Sequence, residues 1–363
     1  MKVLMITLDT YGGIIHYTSQ LANALANKLE IVVIAPIGVD KHYFNDNVKI
    51  IQMIMGFTKD LHILSRSIKF IKTIYDENPD IIHCNFCYHW LALLLLFNKF
   101  PIITTIHDTH AHLGKFKLID LSAKAIHIKL SSSVIVHGIR SQNELGNGIK
   151  SFIIPHGDYS FFLKYKQEDI EEEDNTILFF GRIVDYKGLD YLISAVNKLS
   201  EIIPDIKLII AGKGDMRKYQ KLIINKKHFE IHNCYIPDDE VPRLFQRAAI
   251  VALPYIEATQ TGIIPIAYAF KKPVIVTDTG DMSEVVDDGI NGIIVPPRDV
   301  NMLAEAIKTL LGNKTLRKEM GEQAYKKMIR DLSWDDIALK TIGIYNHIIE
   351  TRTRKNILTG DNK

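Results

Sequence analysis

Short runs of β-branched and aliphatic residues alternate with stretches of helical period along nearly all of this 363-residue chain, and that alternation constrains the fold most. In the first half the strand-like runs are residues 3–8, 31–35, 50–53, 81–84, 102–106, 134–137 and 152–154. Between the first two, Tyr17, Leu21, Leu25 and Leu29 recur at the spacing of a single apolar helix stripe. A strand that returns to its sheet through a helix must run parallel to its neighbour, and such helices cover both faces of the sheet.

The alternation breaks at residues 167–175, an acidic stretch with almost no core-forming side chains, which reads as a linker. It restarts with strand-like runs at 176–180, 207–211, 233–236, 250–253, 273–277 and 292–295. The length exceeds what one hydrophobic core usually serves. The expected fold is therefore α/β, with two doubly wound Rossmann-like domains facing across a cleft. The domains are placed at 1–166 and 176–332, and residues 351–363, charged and core-poor, read as a frayed tail.

Composition excludes several classes. The chain is 47% hydrophobic and 24% charged, as soluble globular proteins are. A formal net charge of +2 with no concentrated basic stripe gives no reason to expect a nucleic-acid partner. Three cysteines suit a reducing compartment and not a disulfide framework. Met1-Lys2 runs straight into Val3-Leu4-Met5-Ile6, so the expected location is cytoplasmic. The longest apolar run, residues 90–97, is far shorter than the roughly 20 residues that span a bilayer. It reads as a buried helix or as part of a surface touching lipid.

Candidate chemistry gathers where strands hand over to helices, the ligand-binding edge of open α/β sheets. Arg182 and Lys187 follow the run that ends at Gly181 and are placed to hold a phosphate or diphosphate at the start of the next helix. Gly12 and Gly13 lie just after the first strand, where the backbone can approach a ligand or simply turn tightly. They do not form the GxGxxG fingerprint of dinucleotide folds. His107, at the end of the Thr104-Thr105-Ile106-His107-Asp108 strand, can donate to a hydroxyl or a phosphate oxygen, with Asp108 to orient it. His110, His112, His137 and His156 read as structural. Gly212, in Ala211-Gly212-Lys213-Gly214, allows close approach of a ligand or of another backbone. The loop from Pro254 to Gly262 offers the Glu257 carboxylate, with Thr259, Gln260 and Thr261 as donors for a phosphate or sugar; a plain capping loop has the same composition. Cys84 and Cys87 have redox or metal spacing, yet no second pair completes a zinc site. No Asp-x-Asp pair of the kind that chelates a divalent cation beneath a nucleotide diphosphate is present, so no metal or other cofactor is expected.

Together these segments resemble the retaining GT-B glycosyltransferases of the family-four group. The resemblance covers nearly the whole chain. It rests on FFGRIVDYKGLDYLI, LIIAGKGD, YIPDDEVPRLFQRAAIVALPY and AFKKPVIVTDTGDMSEVVDDGINGIIVPPRD in the second half, and on the double glycine, TIHD and Ile154-Pro155-His156-Gly157-Asp158 in the first. It implies an acceptor-side domain at 1–166, a nucleotide-sugar-binding domain at 176–332, and a terminal helix at 333–350, opened by Trp334-Asp335-Asp336, that returns to the first domain. It also implies that Arg182 and Lys187 carry a diphosphate and neutralise the charge that develops as the glycosidic bond breaks. Gly12, Gly13 and Gly212 would border the ligand, and His107 would contact the donor sugar. Tyr235 and Ile236 would line a nucleobase pocket for a uridine- or guanosine-linked donor. The acceptor would be a glycan or a lipid-linked sugar, in surface polysaccharide or lipooligosaccharide assembly.

Two departures stand out. Where the family places a pair of glutamates, aligned on Pro273-Val274-Ile275, this chain has Ala258 and Ile266, with Glu257 one residue early. A ribose-binding carboxylate is thus missing, and the ATQTG form looks like a recurring sub-type with altered donor contacts. Asp281 stands where many relatives have a second glycine. The alternatives are a GT-B protein that binds nucleotide sugars without transfer, or a nucleotide-sugar epimerase. Lys115, Lys117, Lys124 and Lys129, interleaved with apolar residues, suit either a solvated helix with one buried stripe or a peripheral contact with the inner face of a membrane.

Overall fold

The computed structural model describes residues 1–55, 63–87, 91, 95–96, 99–109 and 117–359. The chain forms two compact units, Met1–Gly157 with Ser333–Lys363, and Asp158–Leu332.

The first unit is built on β1 (Lys2–Ile6), β2 (Glu30–Pro36), β3 (Val48–Met53), β4 (Ile81–Cys84), β5 (Ile102–Thr105), β6 (Ser133–Val136) and β7 (Ser151–Ile153). All pair in parallel in the order β3-β2-β1-β4-β5-β6-β7. Because strand side chains alternate between faces, β1 feeds two separate cores. Val3 and Met5 pack with Ile15, Tyr17, Leu21 and Leu25 of the helix Gly13–Ala26. Leu4 and Ile6 pack on the opposite face with Phe70 and Ile74. Trp334, Ile337, Tyr345 and Ile348 of the helix Trp334–Thr359 close the first of these cores.

The second unit repeats the plan with β8 (Thr176–Phe180), β9 (Lys207–Ala211), β10 (Phe229–His232), β11 (Ile250–Leu253), β12 (Val274–Thr277) and β13 (Gly292–Val295), all parallel, in the order β10-β9-β8-β11-β12-β13. Leu178 and Ile209 face one core, and Ile177, Phe179, Leu208 and Ile210 face the other.

Three expectations differ from the structure. The strand expected at 233–236 lies earlier, at Phe229–His232. It is an edge strand whose Glu230 carboxylate accepts from Arg247, so it lacks the continuous apolar run that marks a central strand. The chain passes between units after Gly157 rather than at 167–175, because Tyr159 and Phe162 already lie in the core of the second unit. The acidic segment is part of that unit and is held by charge instead of by apolar burial: Glu172 pairs with Lys272, Glu173 with Arg247 and Lys207, and Asp174 with Arg317 and Lys314. The tail expected to fray at 351–363 continues the terminal helix through Thr359, with the Arg352 guanidinium donating to the Lys99 carbonyl.

Candidate functional site

In the second unit the chain runs outward from β8 through β9 to β10, then returns to the other side of β8 for β11, β12 and β13. The order therefore reverses between β8 and β11, and the connections that leave those two strands diverge around a crevice at the carboxyl edge of the sheet. Those connections are Gly181–Gly188 and Pro254–Gly262, the two segments richest in candidate ligand groups.

The loops are fastened to one another. The Tyr186 carbonyl accepts from the backbone N–H of Ile256 at 2.7 Å. Gly188, at φ +64°, packs so tightly that a Cβ there would come to 2.0 Å from the Pro254 carbonyl oxygen. From the other side, Thr277 Oγ1 donates to the Tyr255 carbonyl at 2.6 Å and the Asp281 N–H donates to Thr259 O at 2.7 Å. The Asp281 side chain is buried, so the extra carboxylate is not an exposed charge.

Between these fastenings Lys187 is only 8% exposed, and its ammonium lies 4.8 Å from the centroid of the Tyr255 ring, a cation–π arrangement. Arg182 is exposed and reaches the Tyr186 hydroxyl. Thr259 is 4% exposed, yet its hydroxyl has no hydrogen-bond partner among the described residues, and the buried Gln260 side-chain oxygen has none either. Buried polar atoms normally find partners. The Lys187 ammonium lies over Tyr255 of the same loop, and the two unpartnered groups suit a polar ligand, the hydroxyl as donor or acceptor and the amide oxygen as acceptor. Thr261 Oγ1 accepts from the Ile263 N–H, while Glu257 is exposed. Gly262 backs onto the Tyr159 ring. The position aligned with the second family glutamate, Ile266, is 5% exposed and belongs to the core.

Gly212 plays a packing part. At φ +149°, a Cβ there would lie 1.9 Å from the Gly181 carbonyl oxygen, so it lets the loops after β8 and β9 touch. Tyr235 is 44% exposed and Ile236 is half-buried, both in the loop beyond β10 and not in a strand.

In the first unit Gly12 caps the helix Gly13–Ala26 with open space around the position of its absent Cβ. His107, just past β5, is 5% exposed. Its Nδ1 lies 2.9 Å from His137 Nε2, and His137 Nδ1 lies 2.9 Å from the Ile154 carbonyl oxygen. Its orienting partner is therefore His137, just past β6, and not Asp108. The rings of His107, His137, His156 and Trp334 all meet Tyr17 edge-on.

Burial lowers the pKa of His137 to about 4 and of His156 to about 3, and lowers His107 well below its ordinary value, helped by the neighbouring His137 and His156. The Asn85 backbone pulls His107 the other way but completes no hydrogen bond to it, so burial prevails. With both rings neutral, the partners dictate the tautomers. A carbonyl only accepts, so His137 Nδ1 donates to Ile154. His137 Nε2 then accepts from His107 Nδ1, which leaves His107 Nε2 proton-free and without a partner among the described residues. The site thus offers an acceptor nitrogen, suited to a hydroxyl more than to a phosphate oxygen. His137 read as structural in the sequence, although its place at a strand's carboxyl end is the same signal that singled out His107. His110 and His112 lie outside the described residues.

With this geometry established, residues 11–157 match Glycosyltransferase Family 4 and residues 161–327 match Glycosyl transferases group 1. Both halves carry glycosyltransferase domains. The chain is 25% identical to an uncharacterized glycosyltransferase of Methanocaldococcus jannaschii over 98% of its own length and 100% of the relative's. It is 21% identical to the O-antigen chain mannosyltransferase C of Escherichia coli, with 95% of this chain and 97% of that one covered. The solved structure of Anabaena HepE in complex with UDP-glucose superposes with a TM-score of 0.75 at 18% identity, covering 98% of this chain and 100% of that one. The shared architecture is the GT-B class of two parallel-sheet α/β domains.

The remaining candidates in this chain are quiet. Burial raises the Cys87 thiol to about 12 and Cys84 higher still, so neither is a ready thiolate. Among the described residues no group of three His, Cys, Asp or Glu side chains could hold a metal ion. Among them, too, no helix is long and apolar enough to cross a membrane. Lys115 lies outside the described residues; Lys124 donates to the Thr109 carbonyl.

Proposed function

We propose that this chain is a retaining, metal-independent glycosyltransferase that moves a sugar from a nucleoside-diphosphate donor to a glycan or lipid-linked acceptor in cell-surface polysaccharide assembly. The observation that carries the reading is the crevice beside β8 and β11, where the buried ammonium of Lys187 and the orphaned side-chain oxygens of Thr259 and Gln260 are held by mutually fastened loops. A low-dielectric cation at that edge stabilises a departing diphosphate more strongly than a solvated one would. Arg182, exposed at the mouth of the same loop, adds a forked donor suited to phosphate oxygens. Tyr235 and Ile236 lie on the loop beyond β10 where a base would rest.

His107 Nε2, fixed as an acceptor by His137, takes a hydrogen bond from a hydroxyl of the transferred sugar. Gly12 and Gly13 leave room for the reacting groups. In this reading the two cations do the work that a divalent ion does in metal-dependent transferases. That the O-antigen mannosyltransferase and a UDP-glucose complex are among the relatives supports a nucleotide-sugar donor and a cell-surface product.

The test is transfer from a panel of uridine- and guanosine-diphosphate sugars with a chelator present, with the anomeric configuration of the product read by NMR. Turnover with retained configuration, lost in Lys187→Ala, supports the proposal; inversion, or a strict need for added metal, overturns those parts of it. The burial of Ile266, at the position where the family resemblance would place a second glutamate, favours a second reading, donor binding without transfer. Donor binding with no turnover against any acceptor would select it.

A further inference from the structure

The first unit carries a second concave site, at the amino edge of its sheet, the edge opposite His107. Pro101, Ser132 and Lys150 immediately precede β5, β6 and β7, and with Lys99, Phe100 and the Ile348, Thr351 and Arg352 face of the terminal helix they line a groove of about 330 Å³. Its floor is apolar, and its rim carries three cations and no carboxylate.

The cations are oriented without being neutralised. Arg352 donates to the Lys99 carbonyl at 2.7 Å, Lys150 Nζ lies 2.9 Å from His347 Nε2, and the Lys99 ammonium sits over the Tyr75 and Phe100 rings. Among the described residues none of the three forms an ion pair, whereas Lys2, Arg247 and Lys272 each sit on one or more carboxylates. Among the described residues these side chains are held by a carbonyl, an imidazole and two aromatic rings, so no carboxylate there offsets their charge and an anion in the groove would be attracted. An Arg fork with two ammonium groups is the donor set that phosphate takes, and the apolar floor suits an organic group attached to it.

We infer that this groove is an anion site for a phosphate ester with an apolar body, separate from the crevice beside β8 and independent of what that crevice binds. Two sources supply such a group, the headgroup of an anionic phospholipid and a soluble phosphomonoester.

The test uses the full chain carrying Arg182→Ala and Lys187→Met, to suppress phosphate binding at the other unit. It measures calorimetric binding of glycerol phosphate, and co-sedimentation with phosphatidylglycerol vesicles against phosphatidylcholine ones. Lys150→Glu/Arg352→Glu should weaken binding by at least about tenfold. The control Lys28→Glu/Lys41→Glu, equal in charge change on exposed positions of the same unit, should leave it unchanged. Binding to glycerol phosphate and vesicles alike assigns a soluble or a lipid phosphate indifferently; binding to phosphatidylglycerol vesicles alone assigns the lipid. Binding to neither probe, or binding that survives the charge reversal or falls equally in the control, overturns the inference. Circular dichroism of both double variants separates loss of binding from loss of fold.

Discussion

His137 Nε2 lies 2.9 Å from His107 Nδ1, and the bond joins two imidazoles buried at neighbouring strand ends. With His83, lowered to about 3, and His156, they form a set of rings that the fold keeps neutral. In the unfolded chain each takes up a proton near the ordinary histidine value; in the folded chain His137 does so only near pH 4. Between these values the unfolded state binds more protons, so stability is full above about pH 6.5 and falls as the pH drops below it. One such ring accounts for about 2 kcal/mol between pH 6.5 and 5. Unfolding followed at pH 7.5 and 5.0 should show a marked fall, and His137→Gln should flatten it. A midpoint insensitive to pH in this range would contradict the buried neutral set.

Lys187 and Arg182 share a loop but not an environment, and their substitutions should differ. Lys187→Met removes the buried charge and should lower kcat for donor turnover by about 10²–10³, the scale of one lost electrostatic stabiliser in a dry site. Arg182→Ala, at an exposed position, should act more through KM and more weakly in high salt, because solvent-exposed charges are screened. Steady-state kinetics at two ionic strengths check both; equal effects from the two would place them in one environment.

The β/α alternation, both sheets and most strands were legible in the sequence because central parallel strands are apolar on both faces. Ile250–Leu253 is fully buried and reads as an unbroken run. Two of the departures share one cause. Phe229–His232 is an edge strand with a polar face, and the acidic segment beside Arg247 and Arg317 is held by ion pairs whose partners lie far off in sequence. Neither leaves a local apolar signature. At the site, the strand-end loops carrying Lys187 and Thr259 were readable from position alone. The role of His137 was hidden because it depends on register between β5 and β6, which places two strand ends side by side.

Gly188 joins the two loops of the crevice by lacking a side chain. Gly188→Ala must accommodate both a left-handed backbone and an atom 2.0 Å from the Pro254 carbonyl oxygen. The backbone strain alone is on the order of 1–3 kcal/mol, and relief of the clash has to move the Pro254–Gly262 loop. The expected result is a lower melting temperature together with a raised KM for the donor. Unchanged KM in a destabilised protein would show that the loop's fastening is structural only.

Arg317 tests whether the acidic segment is part of the second unit or a tether between units. Only 2% exposed, its guanidinium donates to the Leu310 and Leu311 carbonyls, the last of the helix Val300–Leu311, and to Asp174. It thus satisfies helix-end acceptors that would otherwise be orphaned and anchors the acidic segment with the same side chain. Arg317→Met keeps the bulk and removes every donor, and should cost about 2–4 kcal/mol, the range for stripping a buried charged donor from its acceptors. Its Asp174 partner, whose carboxyl is held below the usual range chiefly by Lys314, adds stability present above the ordinary carboxylate pKa and lost as pH falls through the folded value. Asp174→Asn should therefore be milder than Arg317→Met and should matter less as the pH is lowered. Limited proteolysis provides the second readout. Cleavage within 167–175 should accelerate in Arg317→Met and not in a control at an exposed lysine such as Lys318. Equal cleavage in wild type and variant would show that the segment is held without Arg317.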